Sequence, residues 1–178
     1  MYLSKLIALS IISCMVGLMS YSCRPKQTNP EELITTLKLN FTKGSIVKTF
    51  QFKDIDGLSG GNSGTIDTIY LDSNSSYQLN LEVLNESDYP VEDITNEIRD
   101  EAVDHQFFFN PSMGLTITQT YADIDANGHP IGLTNNISTG SISSGTLRVN
   151  LKHQPGIKDG NQNTGESDID LTFYTVIR

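Results

Sequence analysis

The chain of 178 residues has no tryptophan, two cysteines and three histidines. Its 12 Lys and Arg face 21 Asp and Glu, a formal net charge of -9. Each shortage excludes something. A nucleic-acid backbone is held by clustered Lys and Arg, so this acidic chain is not expected to bind nucleic acid. Two cysteines cannot build a disulfide framework. Three histidines leave few ways to assemble a zinc enzyme's ligand set. With no Trp to stack a sugar, the plentiful carboxylates give little support to a glycosidase reading. No catalytic set emerges, and the chain reads as a non-enzyme. Hydrophobic residues make up only 37 %, but they fall in periodic runs, which argues for a folded core.

The first residues read as an address. Lys5 precedes an apolar run from Leu6 to Met19, the length of a signal-peptide core. That run is short for a membrane-spanning helix, which needs about 20 apolar residues. Ser20-Tyr21-Ser22-Cys23 follows, and this small residue before a Cys resembles a bacterial lipobox. Such a site implies cleavage before Cys23 and acylation of its thiol, leaving no free thiol in the mature chain. An ordinary signal peptide and an uncleaved anchor are the alternatives. The expected organisation is a lipoprotein signal peptide over 1–22, a tether over 23–32 and one domain over 33–178. Several acyl chains on Cys23 would fix the protein firmly to a membrane, since stable anchoring takes two membrane signals.

From residue 33 onward, short β runs alternate with turn residues. Leu37, Leu39 and Phe41 share one face while Lys38 and Asn40 take the other, the period of two of a half-buried strand. Lys43-Gly44-Ser45 reads as a turn, and 46–52 as the return strand of a hairpin. Further strands are expected at 65–71, 77–84, 115–118, 145–151 and 167–177. The expected fold is all-β, a single antiparallel β-sandwich (Ig-like), with a small barrel as the alternative.

One segment breaks that period. Ile94, Ile98 and Ala102 are four apart, which predicts a short inserted helix over 93–104, followed by the aromatic run Phe107-Phe108-Phe109. On the same helical spacing, Glu97, Glu101 and His105 fall on one stripe. Two carboxylates and an imidazole form part of a site for zinc or copper, and His153 is the expected fourth member if the fold brings it beside His105. A solvated acidic face ending in a histidine is the plain alternative. Two loops offer weaker calcium turns. Asp54 and Asp56 open a Gly-rich loop, and Asp123, Asp125 and Asn127 match the first half of an EF-hand loop. The EF-hand itself is excluded, because its twelfth position is Thr134 and no helices flank it.

Four stretches carry a family resemblance: Glu92 to Thr95 leading to His105-Gln106-Phe107-Phe108-Phe109, Asn127 to Leu133, Gly145 to Arg148 leading to His153-Gln154-Pro155, and Gly165 to Phe173. They resemble a family of small Bacteroidetes lipoproteins, often encoded near TonB-dependent outer-membrane receptors. The resemblance implies a lipid-anchored protein of the cell outer membrane, on its periplasmic or its surface face, with a role beside an uptake receptor. It supplies no catalytic or binding residues. The expected function is an accessory binding protein handling a divalent metal or metal complex. The alternative is a structural or adhesive partner-binding module with no metal site.

Overall fold

The computed structural model describes residues 33–57 and 64–178, within a compact unit that runs from Glu31 to Arg178. The expected signal peptide and tether, with Cys23 between them, lie outside the described residues. Two packed sheets form an all-β sandwich with one short helix.

The first sheet is built on a central antiparallel core. Strand β1 (Thr36–Lys43) pairs with β2 (Ile46–Lys53) on one side and with β5 (Ser76–Asn85) on the other. Gly44 supplies the positive φ of 60° that the tight β1–β2 turn requires. Beyond them lie β3 (Thr65–Ile66), β9 (Thr134–Thr139) and β8 (Ile117–Tyr121), in the order β3-β2-β1-β5-β9-β8, with β6 (Glu92–Asp93) paired to β5. The second sheet runs β4-β11-β10-β7: β4 (Ile69–Leu71), β11 (Glu166–Ile177), β10 (Ser143–His153) and β7 (His105–Pro111). All its pairings are antiparallel except β4 on β11, which is parallel.

The expected alternation puts Leu37, Leu39, Phe41, Leu79 and Leu81 into the core from one sheet, and Phe107, Val149, Leu151, Ile169 and Phe173 from the other. Each such buried side chain contributes roughly 1.5–3 kcal/mol of transfer free energy. The single expected strand at 65–71 is in fact two. The chain leaves the first sheet after Ile66 and enters the second at Ile69.

The inserted helix is shorter than its spacing predicts. Helix α1 covers Ile94–Asp100, not 93–104. Asp93 caps it by accepting from the Thr95 amide, and Glu101 ends it. So short a helix has little stability of its own. It is held by burial of Ile94 and Ile98 and by Thr95, whose hydroxyl bonds both the amide and the carbonyl of Val83 on β5. The helix stops because the chain four residues on belongs to β7, where His105 is committed to pairing with β10.

Candidate metal centre

Strand register brings the two histidines together. On β7, His105 stands two residues before Phe107. On β10, His153 stands two residues after Leu151, and the two histidines are opposite each other in the β7–β10 pairing. Both therefore extend the core-facing row of their strands at the same end of the sandwich. Their rings stack, with centroids 4.5 Å apart and planes 6° from parallel. Across β10 on the other side, Glu166 is the register partner of His153.

Glu101 arrives from the end of α1. Its side-chain oxygen lies 3.9 Å from Nδ1 of His105, and its backbone carbonyl lies 3.3 Å from the same nitrogen. One ligand atom each from Glu101, His105 and His153 lie within 4.8 Å of one another. Among the described residues, this is the His, Cys, Asp and Glu group close enough to hold one ion. Burial, then the neighbouring His153, push the His105 imidazole down to about 4. At neutral pH it is uncharged, the form that ligates a metal.

The turn from Glu101 to Asp104 is fixed from behind by the loop after β10. The Gln154 amide donates to the Asp104 carbonyl at 2.6 Å, and the Gly156 amide donates to the Asp104 carboxylate at 3.0 Å. Lys158 donates from Nζ to the Ala102 carbonyl at 2.7 Å and to Asp125 Oδ2 at 2.8 Å. Glu101 is thus offered to the histidines by a turn with three external supports.

Three sequence expectations are revised by this geometry. Glu97 is not in the converging group, because α1 ends before the helical stripe can reach His105. His105 meets Glu101 through a turn and a strand start rather than along a helix face. The calcium turns have other work. Asp125 Oδ1 accepts from the amides of Asn127 and His129, while Oδ2 takes Lys158. Burial raises the Asp125 pKa, but Lys158 and these two amides outweigh it and hold the carboxyl below its ordinary value. An ammonium group stands where a bound cation would have to be. Asp123 accepts from the amides of Gly132 and Thr134. Asp54 accepts from the Asp56 amide in a separate turn after β2.

One residue at the site escapes any reading by period. Asp168 Oδ2 lies 3.8 Å from Nε2 of His105, on the other side of the ring from Glu101. In the sequence it alternates with buried Ile169, so it counts as an outward residue of the last strand. No sequence signal marks it.

No protein-family model matches the chain, and no curated protein or solved structure matches it. The fold and the site define a sandwich domain with a histidine and carboxylate cluster at one end.

Proposed function

We propose that the chain is a lipid-anchored envelope protein whose sandwich domain binds a divalent transition metal, zinc or copper, at Glu101, His105 and His153. The observation that carries this reading is the pairing of His153 opposite His105, with a Glu101 carboxylate oxygen within 4.8 Å of a ring nitrogen of each. Two imidazoles and a carboxylate suit zinc or copper(II), whereas calcium prefers an all-oxygen shell. A buried, uncharged His105 supplies one lone pair without the cost of deprotonation.

The stacked rings set a condition. Parallel imidazoles hold their in-plane lone pairs in two separate parallel planes, so one ion shared by both needs one ring to turn. His105 is 1 % exposed and held at Nδ1, while His153 is half-buried at a strand end. His153 is therefore the ring that moves.

The anchoring part of the proposal rests on the apolar run before Cys23 and its lipobox-like ending. Among the described residues no helix is long and apolar enough to cross a membrane. A place at the outer membrane beside an uptake receptor rests on the family resemblance alone. The role would be to bind and pass on the ion, with no reaction catalysed.

The test is calorimetric titration of the chelator-stripped full chain, in detergent, with zinc, copper and calcium. Micromolar or tighter zinc or copper binding, lost in His105→Ala and in His153→Ala with the fold intact, is the expected result. No binding of zinc or copper overturns the metal reading and leaves a partner-binding module.

A further inference from the structure

Strands β7 and β10 have the histidines at one end and residues 111 and 143 at the other. At that far end, four turns bond to one another in a row. Lys43, in the β1–β2 turn, donates to Asp72 Oδ2 at 3.0 Å and to Ser75 Oγ at 2.9 Å. The Asn74 amide donates to the Gly140 carbonyl, and the Gly140 amide to the Thr116 carbonyl, each at 2.8 Å. The Leu115 amide then closes the last turn on the Ser112 carbonyl.

Three of these turns lift aliphatic side chains into solvent. Ile46 and Val47 are 61 % and 57 % exposed beside the first, Ile142 is 76 % exposed before β10, and Met113 is wholly exposed after β7. A single exposed apolar residue is ordinary on a protein surface. Four on one row of bonded turns form a patch, and such a patch marks a contact surface.

Charge separates this end from the other. Turns at the histidine end also bare Ile124 and Ile157, but among Asp54, Asp88, Asp104, Asp123, Asp125 and Asp159. In the far turns, residues 43–47, 72–75, 112–116 and 140–142, Asp72 is the one carboxylate. Lys43 and Lys48 both pair with it, two ammonium groups to one carboxylate, on a chain whose formal charge is -9.

Area and shape select the occupant. Burying all four aliphatic side chains removes on the order of 400 Å² from water. A standard protein interface takes about 800 Å² from each partner, so a dimer through these apices lacks contact area. A bilayer needs no matching surface. It admits separate aliphatic tips among its headgroups, while neighbouring lysines stay at the level of the phosphates and attract anionic lipid. A lipid-anchored chain also keeps a bilayer close, so a weak second contact is enough. The expected tether, residues 23–32, extends to at most about 35 Å, against about 27 Å for the length of β1. An anchor leading into Thr36 thus leaves the Lys43 end within reach of the same bilayer.

We infer that this end of the sandwich rests on a membrane surface containing anionic phospholipid. Ile46, Val47, Met113 and Ile142 enter the headgroup layer, and Lys43 and Lys48 face the phosphates. The inference rests on the proposed lipid anchoring for the nearness of the bilayer and is independent of the metal reading. Its consequence is that the acidic histidine end faces away from the lipid.

The chain has no tryptophan, so one introduced indole reports its own position. Full-length Met113→Trp and Ile142→Trp are reconstituted into vesicles of phosphatidylcholine and phosphatidylglycerol, with or without bromine on the acyl chains. Ile124→Trp is the control, an exposed apolar position at the acidic end. Circular dichroism checks each fold, and flotation establishes that the vesicles hold each chain. Quenching by bromine at positions 113 and 142 should be at least about twice that at 124, with blue-shifted emission at those two alone. In the Met113→Trp chain, Ile46→Ser with Val47→Ser should cut the quenching by about half or more, because insertion scales with buried apolar area. Lys48→Gln should weaken it in the mixed vesicles and leave it unchanged in phosphatidylcholine alone. Ile142→Trp carries the test if Met113→Trp does not fold. Chains that float with equal, weak quenching at all three positions overturn this inference and leave the anchoring intact. Emission at 113 and 142 that shifts with protein concentration in the absence of lipid overturns it in favour of a second copy. Chains that do not float overturn it together with the anchoring.

Discussion

Lys158 and Asp125 form an ion pair that water barely reaches: Nζ and Oδ2 are 2.8 Å apart, and the two side chains are 2 % and 0 % exposed. Lys158 spends a second proton on the Ala102 carbonyl, so the pair ties the 123–131 loop to the turn that presents Glu101. Removing one partner of such a pair leaves a buried charge unmatched and costs about 3–5 kcal/mol. Lys158→Met should lower unfolding stability by about that much and Asp125→Leu by more, because it also strips the Asn127 and His129 amides of their acceptor, and the double variant should lose less than the sum of the two. Urea denaturation of the four chains measures both effects.

Acid should expose the buried histidine. The folded-state pKa of His105, about 4, lies below its ordinary value of 6.5. Between those values the unfolded chain binds the extra proton, so stability is full above about pH 6.5 and falls as pH drops toward 4. The integrated loss is on the order of 3 kcal/mol. The depressed carboxylates, Asp125 and Asp170 among them, lose their contribution only at lower pH, below their ordinary value of 3.8. His105→Asn should flatten the curve between pH 6.5 and 4 and leave the more acidic limb in place. Unfolding free energies from urea titrations at half-unit pH intervals distinguish the two limbs.

Gly165 sits just before β11 with φ of 75°, and a Cβ there would collide with the carbonyl oxygen of His153. A left-handed backbone alone costs an L residue about 1–2 kcal/mol. Gly165→Ala should therefore lower the melting temperature and, if His153 ligates the ion as proposed, weaken zinc binding with it. Gly114→Ala makes a useful comparison. It also has positive φ but open space around it, so it should lower stability by the backbone cost alone and leave zinc affinity unchanged.

Metal loading should unstack the histidines. The half-buried His153 must turn before both rings can face one ion, whereas His105 stays in place. In NMR spectra of zinc-loaded protein, ring-proton shifts of His153 should move more than those of His105, and contacts between the two rings should weaken. Equal small shifts with the stack preserved would mean that the ion, if bound, does not engage both rings.

Period carried the strands well and the site only in part. Leu37, Leu39 and Phe41 announced their strand because their solvent-side neighbours are polar, and the turn at Gly44 follows directly. Phe107, Phe108 and Phe109 gave no alternation, since all three are buried, and so the strand holding His105 was not visible as one. Residues 134–139 are almost wholly polar, yet they form β9 between β5 and β8. Their alternation, with Asn135, Ile137 and Thr139 inward, is written partly in polar side chains that find bonds inside. Helical spacing groups Glu101 with His105, but the helix ends at Asp100 and His105 begins β7. They lie four residues apart across a turn, not along a helix. The place of His153 depended on pairing between strands more than forty residues apart, and that of Asp168 on a bulge. Neither local period nor spacing encodes such long-range register.

Ile177 and Arg178 are fastened to the neighbouring β4 strand and the turn after it. Ile177 pairs with Leu71, the Arg178 amide donates to the Leu71 carbonyl, and the Ser73 amide donates to the Arg178 carbonyl. Strand β11 runs from Glu166, beside His153, to Ile177, about 35 Å of extended chain. Arg178 is thus held by backbone bonds at the far end of the second sheet from the histidines. A fluorophore or a surface linkage attached there would report on, or display, the histidine end without obstructing it.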